Sequence, residues 1–344
     1  MSEGRLSYRD TGVDLDAAER AKERLKGLVA STRDRFTLSE LGSFGGLYQV
    51  PDGLATPVLV SSADGVGTKL KVAFEAGRHD TVGQCLVNHC VDDILVQGAK
   101  PLFFLDYLAT GAMDEIVVSQ VVSGAALACR ENGCALLGGE TAQMPDFYAA
   151  GEYDLAGFIV GVVEKEKVLD GRRIQSGDVL LGLASSGLHT NGYTLARRIV
   201  FDVMGLGPDD EMPGTGRSVA DELLAVHRSY LPALWPLLQE ERIHGLAHIT
   251  GGGIPGNLPR VLPEGLGAFV DRQAWEVPPV FRTLQERGDV DRSEMDRVFN
   301  MGIGMIAVVQ AGDVEAVAAA VRSHGIEVWR LGAVEPGSGV RYLG

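Results

Sequence analysis

No Gly-Lys dipeptide occurs in the 344-residue sequence, which excludes the P-loop pattern G-x-x-x-x-G-K-[ST]. Cysteine is scarce: Cys85/Cys90 and Cys129/Cys134 each stand five apart, a spacing that fits neither a CxxC redox motif nor a zinc knuckle. These four read as reduced, buried thiols. Dense Lys/Arg blocks are missing too, and 46 Asp and Glu against 31 Lys and Arg give a formal net charge of −15. Such a chain repels nucleic acid and anionic lipid, so neither is expected as a partner. No apolar run is long enough to span a bilayer, and MSEGRLSYRD lacks the basic start and apolar stretch of a secretion signal, so a cytoplasmic protein is expected. Repeats of solenoid period are also absent.

What is present is a globular mixture of helices and strands. An apolar content of 45% is ample for packed cores, and this length favours two domains. Asp16 opens a helical stretch with Glu19 three residues on, as in a capping box, and Lys26 and Gly27 close it. A glycine-rich turn from Gly42 leads to a short strand ending near Val50. The pattern then predicts a strand ending at Asp64, a helix from Thr81 to Gln97, a buried strand over Pro101–Leu108 and a helix over Met113–Asn132. A strand CALLGGE turning at Gly138 and Gly139, and another over Tyr153–Val163, complete the first half. The charged, turn-rich stretch from Glu164 to Asp178 places a boundary that divides the chain into an N-terminal domain of residues 1–168 and a C-terminal domain of residues 169–344. In the second half a strand over Val179–Ser185 precedes the loop SGLHTNG, a helix from Tyr193, a polar insertion near Gly205–Gly216 and a helical stretch to about Arg242. Further strands lie near Ala247–Thr250, Leu266–Asp271, Gly304–Val309 and Glu327–Leu331. The order is not a steady βαβα alternation, so α+β domains are expected instead of a doubly wound sheet.

The segment VLVSSADGVGTKL, Val58 to Leu70, runs an apolar strand into an acid, two glycines, a hydroxyl and a lysine. Backbone amides between Gly65 and Gly67 can form an anion-binding nest, Asp64 offers a hard oxygen of the kind Mg²⁺ prefers, and Thr68 and Lys69 add a donor and a charge. Taken alone, the same residues also describe a plain glycine turn with a solvated lysine. GGGIPG at Gly251–Gly256 mimics a dinucleotide fingerprint, with Asp271 twenty residues on, but Pro255 and Pro259 would fall inside its helix and no βαβ unit fits. It remains a candidate anion loop. Asp93 in an apolar helix and Glu140 after a glycine pair could join Asp64 at a metal, and Asp106 inside PLFFLDYL is a further buried acid. His189, in a loop of small polar residues, suits a proton shuttle or phosphate donor, and Asn191 can cap the next helix. The other histidines make weaker cases, although His248 borders the GGG loop.

From end to end, LSYRDTGVD (Leu6 to Asp14), DGVGTK, VQGAKPLFFLDYLATG, GGETAQMP, YDLAGFIVGVVE, SSGLHTNGY, HITGGG and FNMGIGM closely resemble the phosphoribosylformylglycinamidine cyclo-ligases, or AIR synthetases, of purine biosynthesis. DGVGTK is shared more loosely with a superfamily that includes formylglycinamidine synthetase, selenophosphate synthetase, thiamine-phosphate kinase and a hydrogenase maturation protein. VQGAKPLFFLDYLATG together with GGETAQMP singles out the cyclo-ligases. The resemblance implies ATP-dependent closure of formylglycinamidine ribonucleotide to aminoimidazole ribonucleotide with release of ADP and phosphate. It implies Mg²⁺ and leaves open a monovalent cation such as K⁺. The implied architecture is a homodimer whose N-terminal domains pair into a shared β-barrel, with GGET contributed across the interface, and a C-terminal domain with a mixed sheet packed by helices.

Carried residue by residue, the resemblance assigns Asp64, Asp93 and Glu140 to Mg²⁺ and the ATP phosphates. It places Lys26 near the nucleotide, Gly65, Gly67, Thr68 and Lys69 along the phosphates, and Gly138, Gly139 and Thr141 beside Glu140 in the ATP site. Lys69, His189 and Asn191 become the catalytic candidates, the latter two touching the reacting amide or phosphate. Gly42, Ser43, Phe44 and Gly45, with Thr250, Gly251, Gly252, Gly253 and Asn257, would take the substrate's ribose phosphate. Three positions depart from the family pattern: Asp92 stands where asparagine is common, Gln143 where glutamate is common, and Ser43 interrupts a glycine pair. Two other readings stay open, another ATP-dependent kinase or synthetase of the superfamily and a catalytically silent nucleotide-binding protein. No reactive cysteine lies in the glycine-rich N-terminal region, which argues against selenophosphate chemistry.

Overall fold

The computed structural model describes residues 7–344, so Met1 to Leu6, including the first residue of the LSYRDTGVD stretch, lie outside the described residues. The first half comprises α1 (Leu15–Ala30), β1 (Pro57–Gly65), α2 (Lys69–Ala76), α3 (Asp80–Leu95), β2 (Lys100–Thr110), α4 (Glu115–Glu131), β3 (Ala135–Gln143) and β4 (Tyr153–Glu164). The second begins with β5 (Val179–Ala184), α5 (Tyr193–Arg197), β6 (Glu211–Met212), β7 (Arg217–Ser218), α6 (Val219–Leu223), α7 (Leu231–Gln239), β8 (Ile243–His248) and α8 (Gly253–Asn257). It ends with β9 (Leu266–Asp271), α9 (Pro279–Gly288), α10 (Arg292–Val298), β10 (Ile303–Val309), α11 (Val314–Arg322), β11 (Val328–Pro336) and β12 (Val340–Leu343). Each half carries one principal sheet. Strands β1-β4-β2-β3 form a four-stranded mixed sheet, and β12-β9-β11-β5-β10-β8 a six-stranded one. Among the described residues no helix is long and apolar enough to cross a membrane.

Local chemistry moves several boundaries from their sequence-based positions. Asp14, not Asp16, caps α1: its carboxylate accepts from the backbone N–H of Asp16 at 3.0 Å and of Ala17 at 3.1 Å. The helix runs past Lys26 and Gly27 because Ala17, Ala21, Leu25 and Val29, four residues apart, bury one continuous stripe. Gly42 to Val50 makes no strand; a single bridge between Thr37 and Tyr48 is its only ladder contact. Gly138 and Gly139 lie inside β3, which pairs in parallel with β2 and sets Gly139 opposite Asp106. A Cβ on Gly139 would stand 2.4 Å from Asp106 Oδ1, so this glycine admits a neighbouring side chain instead of turning the chain. Several short elements have no counterpart in the pattern reading: α2, the two-residue strands β6 and β7, the parallel edge strand β12, and α8, a short helix that forms with Pro255 inside it.

The sheets differ in how they are covered. In the second half β8 and β10 are buried along their whole lengths. In the first half α3 packs on β1, β2 and β4, and α4 on β3, covering one face. The other face is open: Leu59 is 60% and Phe158 46% exposed. Helices α2 and α3 also carry the first half onto the second, touching α5, α6, α7 and β8.

Candidate active site

That junction gathers most of the chemistry. On α3, His89, Asp92 and Asp93 fall at i, i+3 and i+4, so all three project from one side of the helix toward β1 and the second half. Asp64 ends the covered face of β1 and is held from two sides: its Oδ1 accepts from Gly65 N–H at 2.7 Å and its Oδ2 lies 2.8 Å from His89 Nε2. Asp93 Oδ1 lies 2.9 Å from His248 Nδ1, at the end of β8, and its Oδ2 accepts from the Ser62 hydroxyl at 3.0 Å. Asp64, His89, Asp93 and His248 thus share the wall of a cleft of about 510 Å³, which Thr250, Asn257 and Arg260 close from the second half.

Burial works to raise the carboxyls of Asp64 and Asp93, but their imidazole partners outweigh it and hold both below the usual carboxylate range. Both are therefore ionised near neutral pH, as a cation site requires. Asp92, one residue away, is the reverse: fully buried, with Tyr230 N–H on Oδ1 at 2.9 Å, it is pushed well above the carboxylate range by desolvation. Desolvation likewise drives His189 and His227 well below the usual histidine value and lowers His248, so these rings are neutral. Burial also pushes the Asp106 carboxyl up to about 7, on its strand away from the cleft wall.

The glycine turn after Asp64 meets the second half directly. Thr68 Oγ1 lies 2.9 Å from Thr194 Oγ1, and Gly67, at φ 64°, takes a left-handed conformation that its lack of a Cβ allows. Lys69 does not point into the cleft. It is fully buried, and its ammonium donates to the carbonyls of His189 at 2.9 Å and Ala225 at 2.7 Å and to Cys85 Sγ at 3.2 Å, which uses all three donors. His189 is also buried, at φ 62°, with its Nε2 accepting from Ser186 N–H at 3.1 Å and its ring stacked on His227 at 4.0 Å between centroids. Neither residue lines the cleft.

Asn191 lies against the TGGG loop, its Oδ1 3.1 Å from where a Gly251 Cβ would sit. Gly252 and Gly253 both have positive φ, and a Cβ on Gly253 would stand 1.9 Å from the Asp296 carbonyl, so the loop needs that glycine. Asn257 is an internal brace: its Nδ2 donates to Gly253 O at 2.8 Å and Gly251 O at 3.2 Å, while its Oδ1 accepts from Arg260 at 3.2 Å. Gly42, Ser43, Phe44 and Gly45 form an exposed loop that does not border the cleft. Lys26 is exposed on α1 and paired with Glu23. Glu140 and its neighbours are brought elsewhere. Along the strand register Asp64, Gly157, Asp106 and Gly139 make one row and Gly65, Ala156, Tyr107 and Glu140 the next, so Thr141 shares the covered side with Gly139 while Gly138 and Glu140 face the open side.

Sequence reasoning missed His89, Ser62 and Arg260 and gave His248 only passing weight. His89 could have been found, since it precedes Asp93 by four residues in a predicted helix; His227 had no local signal at all.

Comparison with known proteins adds a consistent pattern. The AIR synthase related protein N-terminal domain family matches residues 47–163, and the corresponding C-terminal domain family matches residues 175–343. The phosphoribosylformylglycinamidine cyclo-ligase of Trichlorobacter lovleyi is 52% identical over 97% of this chain and 96% of its own length. That of Sorangium cellulosum is 52% identical over 96% of this chain and 95% of its own. Among solved structures, thiamine-monophosphate kinase from Stenotrophomonas maltophilia superposes with a TM-score of 0.71 at 20% identity, covering 93% of this chain and 95% of that one. A hydrogenase maturation protein HypE determined in complex with ATP gives 0.65 at 19% identity, with 91% and 86% covered. These structural likenesses establish a shared fold.

Proposed function

The chain belongs to the phosphoribosylformylglycinamidine cyclo-ligase family of purine biosynthesis, a family of C–N bond-forming ligases, and we propose that its chemistry takes place in the cleft between the two halves. In this reading ATP transfers its γ-phosphoryl group to the formamide oxygen of formylglycinamidine ribonucleotide, the amidine nitrogen attacks the activated carbon, and phosphate leaves as the imidazole closes. Such a reaction asks the protein for positioning and charge neutralisation more than for covalent help. The observation that carries the reading is the meeting of two ionised carboxylates from the first half, Asp64 and Asp93, with His248 and Thr250 of the second.

Oxygen donors at the cleft wall fit a divalent cation such as Mg²⁺: Asp64 and Asp93 would hold the ion that accompanies ATP, with Ser62 beside them. When bound, the ion neutralises phosphate charge. In this reading the backbone around Gly67, next to Asp64 in the chain, receives phosphate oxygens, and Thr250 with Arg260, on the cleft wall, takes the substrate's ribose phosphate. Lys69 and His189 act as positioning residues, because Lys69 fixes the carbonyl of His189 and so the loop that carries Asn191. The ATP-binding and dimerising part is residues 1–168, with residues 169–344 completing the cleft. The open apolar face of the first sheet supports a homodimer in which Glu140, on that face, serves a second copy's site.

The test is ADP release by the purified protein with Mg²⁺ and ATP, with and without formylglycinamidine ribonucleotide, alongside detection of the aminoimidazole product. Substrate-dependent ADP matched by product is expected. ATP binding without product would move the case to a sister kinase activity or a silent nucleotide binder.

A further inference from the structure

The imidazoles on the cleft wall are unexplained by a site built for Mg²⁺. That ion takes oxygen ligands in near-octahedral geometry and keeps several waters, whereas imidazole nitrogen suits the later first-row divalent ions. Here two imidazoles stand among the carboxylates. His89 Nε2 lies 2.8 Å from Asp64 Oδ2 and 3.9 Å from Asp93 Oδ2, and His248 Nδ1 lies 2.9 Å from Asp93 Oδ1. One ligand atom each from His89, Asp93 and His248 falls within 4.8 Å of the others. Neighbouring donors around an ion with bonds of about 2.1 Å stand roughly 3 Å apart, the scale of the His89–Asp64 and His248–Asp93 separations, and the wider His89–Asp93 separation is still within the roughly 4.2 Å that two donors on opposite sides of the ion span.

The far sides of both rings are prepared for the same role. His89 Nδ1 is 2.6 Å from Thr190 Oγ1, and His248 Nε2 is 3.1 Å from His227 Nε2. Each ring can therefore keep its proton on the outer nitrogen, donating to Thr190 or His227, and present a lone pair to the cleft. Hydrogen-bonded outer nitrogens of this kind fix tautomer and orientation in histidine metal sites. Without an ion the tautomers reverse and the inner N–H groups donate to Asp64 and Asp93. A second histidine group, His189, His227 and His248, is equally compact but less suitable. His189 Nε2 is already an acceptor for Ser186 N–H, so the neutral ring carries its proton on Nδ1, and His227 is better placed as the outer partner of His248.

We propose that the cleft wall is a mixed nitrogen and oxygen metal site, in which His89 Nε2, His248 Nδ1 and the carboxylates of Asp93 and Asp64 bind an ion of the Mn²⁺ to Zn²⁺ series in preference to Mg²⁺. This deepens the reading of the cleft as a metal-nucleotide site, and it is tested without nucleotide. Chelator-treated full-length protein is titrated with Mn²⁺ alone, free Mn²⁺ being followed by electron paramagnetic resonance, and then challenged with Zn²⁺ or Mg²⁺. One Mn²⁺ per chain is expected, displaced by Zn²⁺ but not by an equal concentration of Mg²⁺. His89→Ala should weaken Mn²⁺ binding by at least about tenfold with an unchanged circular dichroism spectrum. Because that variant opens a buried position, Mn²⁺ bound to the unaltered protein gives an independent readout: nitrogen hyperfine couplings in electron spin-echo modulation report imidazole ligation, and the absence of any nitrogen coupling would overturn the proposal. Equal competition by Mg²⁺ would overturn it too. Either of those outcomes leaves the cyclo-ligase reading intact, whereas a His89-dependent metal site in a protein that makes no aminoimidazole product would remove that reading and keep this one.

Discussion

Asp64 and Glu140 look alike in sequence, each an acid beside glycines at a strand, yet the two faces of the first sheet separate them. Asp64 lies on the face covered by α3, within reach of His89 and, through Asp93, of the second half. Glu140 shares the open face with Tyr107, Phe158 and Leu59. Strands β1 and β3 are also the opposite edges of the sheet, three inter-strand spacings or about 14 Å apart. No single ion can take ligands from both within one chain. The difference teaches that one side of this sheet is finished by the chain's own helices α3 and α4, which join it to the second half, while the other is finished, if at all, by another molecule. An apolar open face that carries an acid is the surface a symmetric dimer would use.

Mixing subunits gives the largest effect and the sharpest break. The Asp64→Asn and Glu140→Ala variants should each lose activity by a hundredfold or so, because each removes a negative group from charge-neutralising machinery. If Glu140 serves the other copy, an equilibrated equal mixture regains activity in about a quarter of its sites, since half the dimers are hybrids and each hybrid keeps one intact site. A mixture as inactive as its parents would confine both residues to one chain's site and end the contrast between the faces.

Phe158→Asp tests the open face directly. Phe158 is 46% exposed and sits in the strand row of Ala63, Leu105 and Gly138. A charge there should cost an apolar interface about 2 kcal/mol or more and shift the protein to monomer in sedimentation analysis. Its circular dichroism should stay unchanged, since the side chain packs into no core of its own chain. An unaltered dimer mass would place the interface elsewhere.

Much of this architecture was legible in the sequence, and the exceptions share a cause. Strands β1, β2 and β4 and helices α3 and α4 announce themselves by apolar period, and the glycine turn after Asp64 by composition. What failed was information held by pairing partners. Gly138 and Gly139 look like a turn until Asp106 on the neighbouring strand shows why a side chain is excluded at Gly139. Asp16 looks like a cap until Asp14 is seen to accept from the amides of Asp16 itself and of Ala17. For the site, the acids were visible as residues but not their sides, and His89 and His248, 159 positions apart, have no local signature of converging. Lys69 was the most misleading, because a lysine after a glycine turn fits a phosphate contact and a buried tie equally well until its carbonyl partners are seen.

That lysine supplies the smallest effect and tests the covered side. Lys69 spans from α2 to two carbonyls of the second half, with its ammonium also 5.3 Å from the centre of the Tyr193 ring. Lys69→Met keeps the length and most of the packing but removes every donor, leaving the carbonyls of His189 and Ala225 buried without that partner. Each orphaned carbonyl costs about 1–3 kcal/mol, so urea unfolding should show a lower midpoint at an unchanged oligomeric mass. The expected loss of turnover is indirect, through a loosened His189–Asn191 loop, and should appear in kcat more than in the KM for ATP. If Lys69 instead leaves its carbonyls to hold phosphate in the working enzyme, the pattern inverts: stability barely changes while KM for ATP rises steeply. The two faces of the sheet would then differ in what covers them but not in how firmly, because the tie that now closes the inner side would be a ligand contact waiting for its ligand.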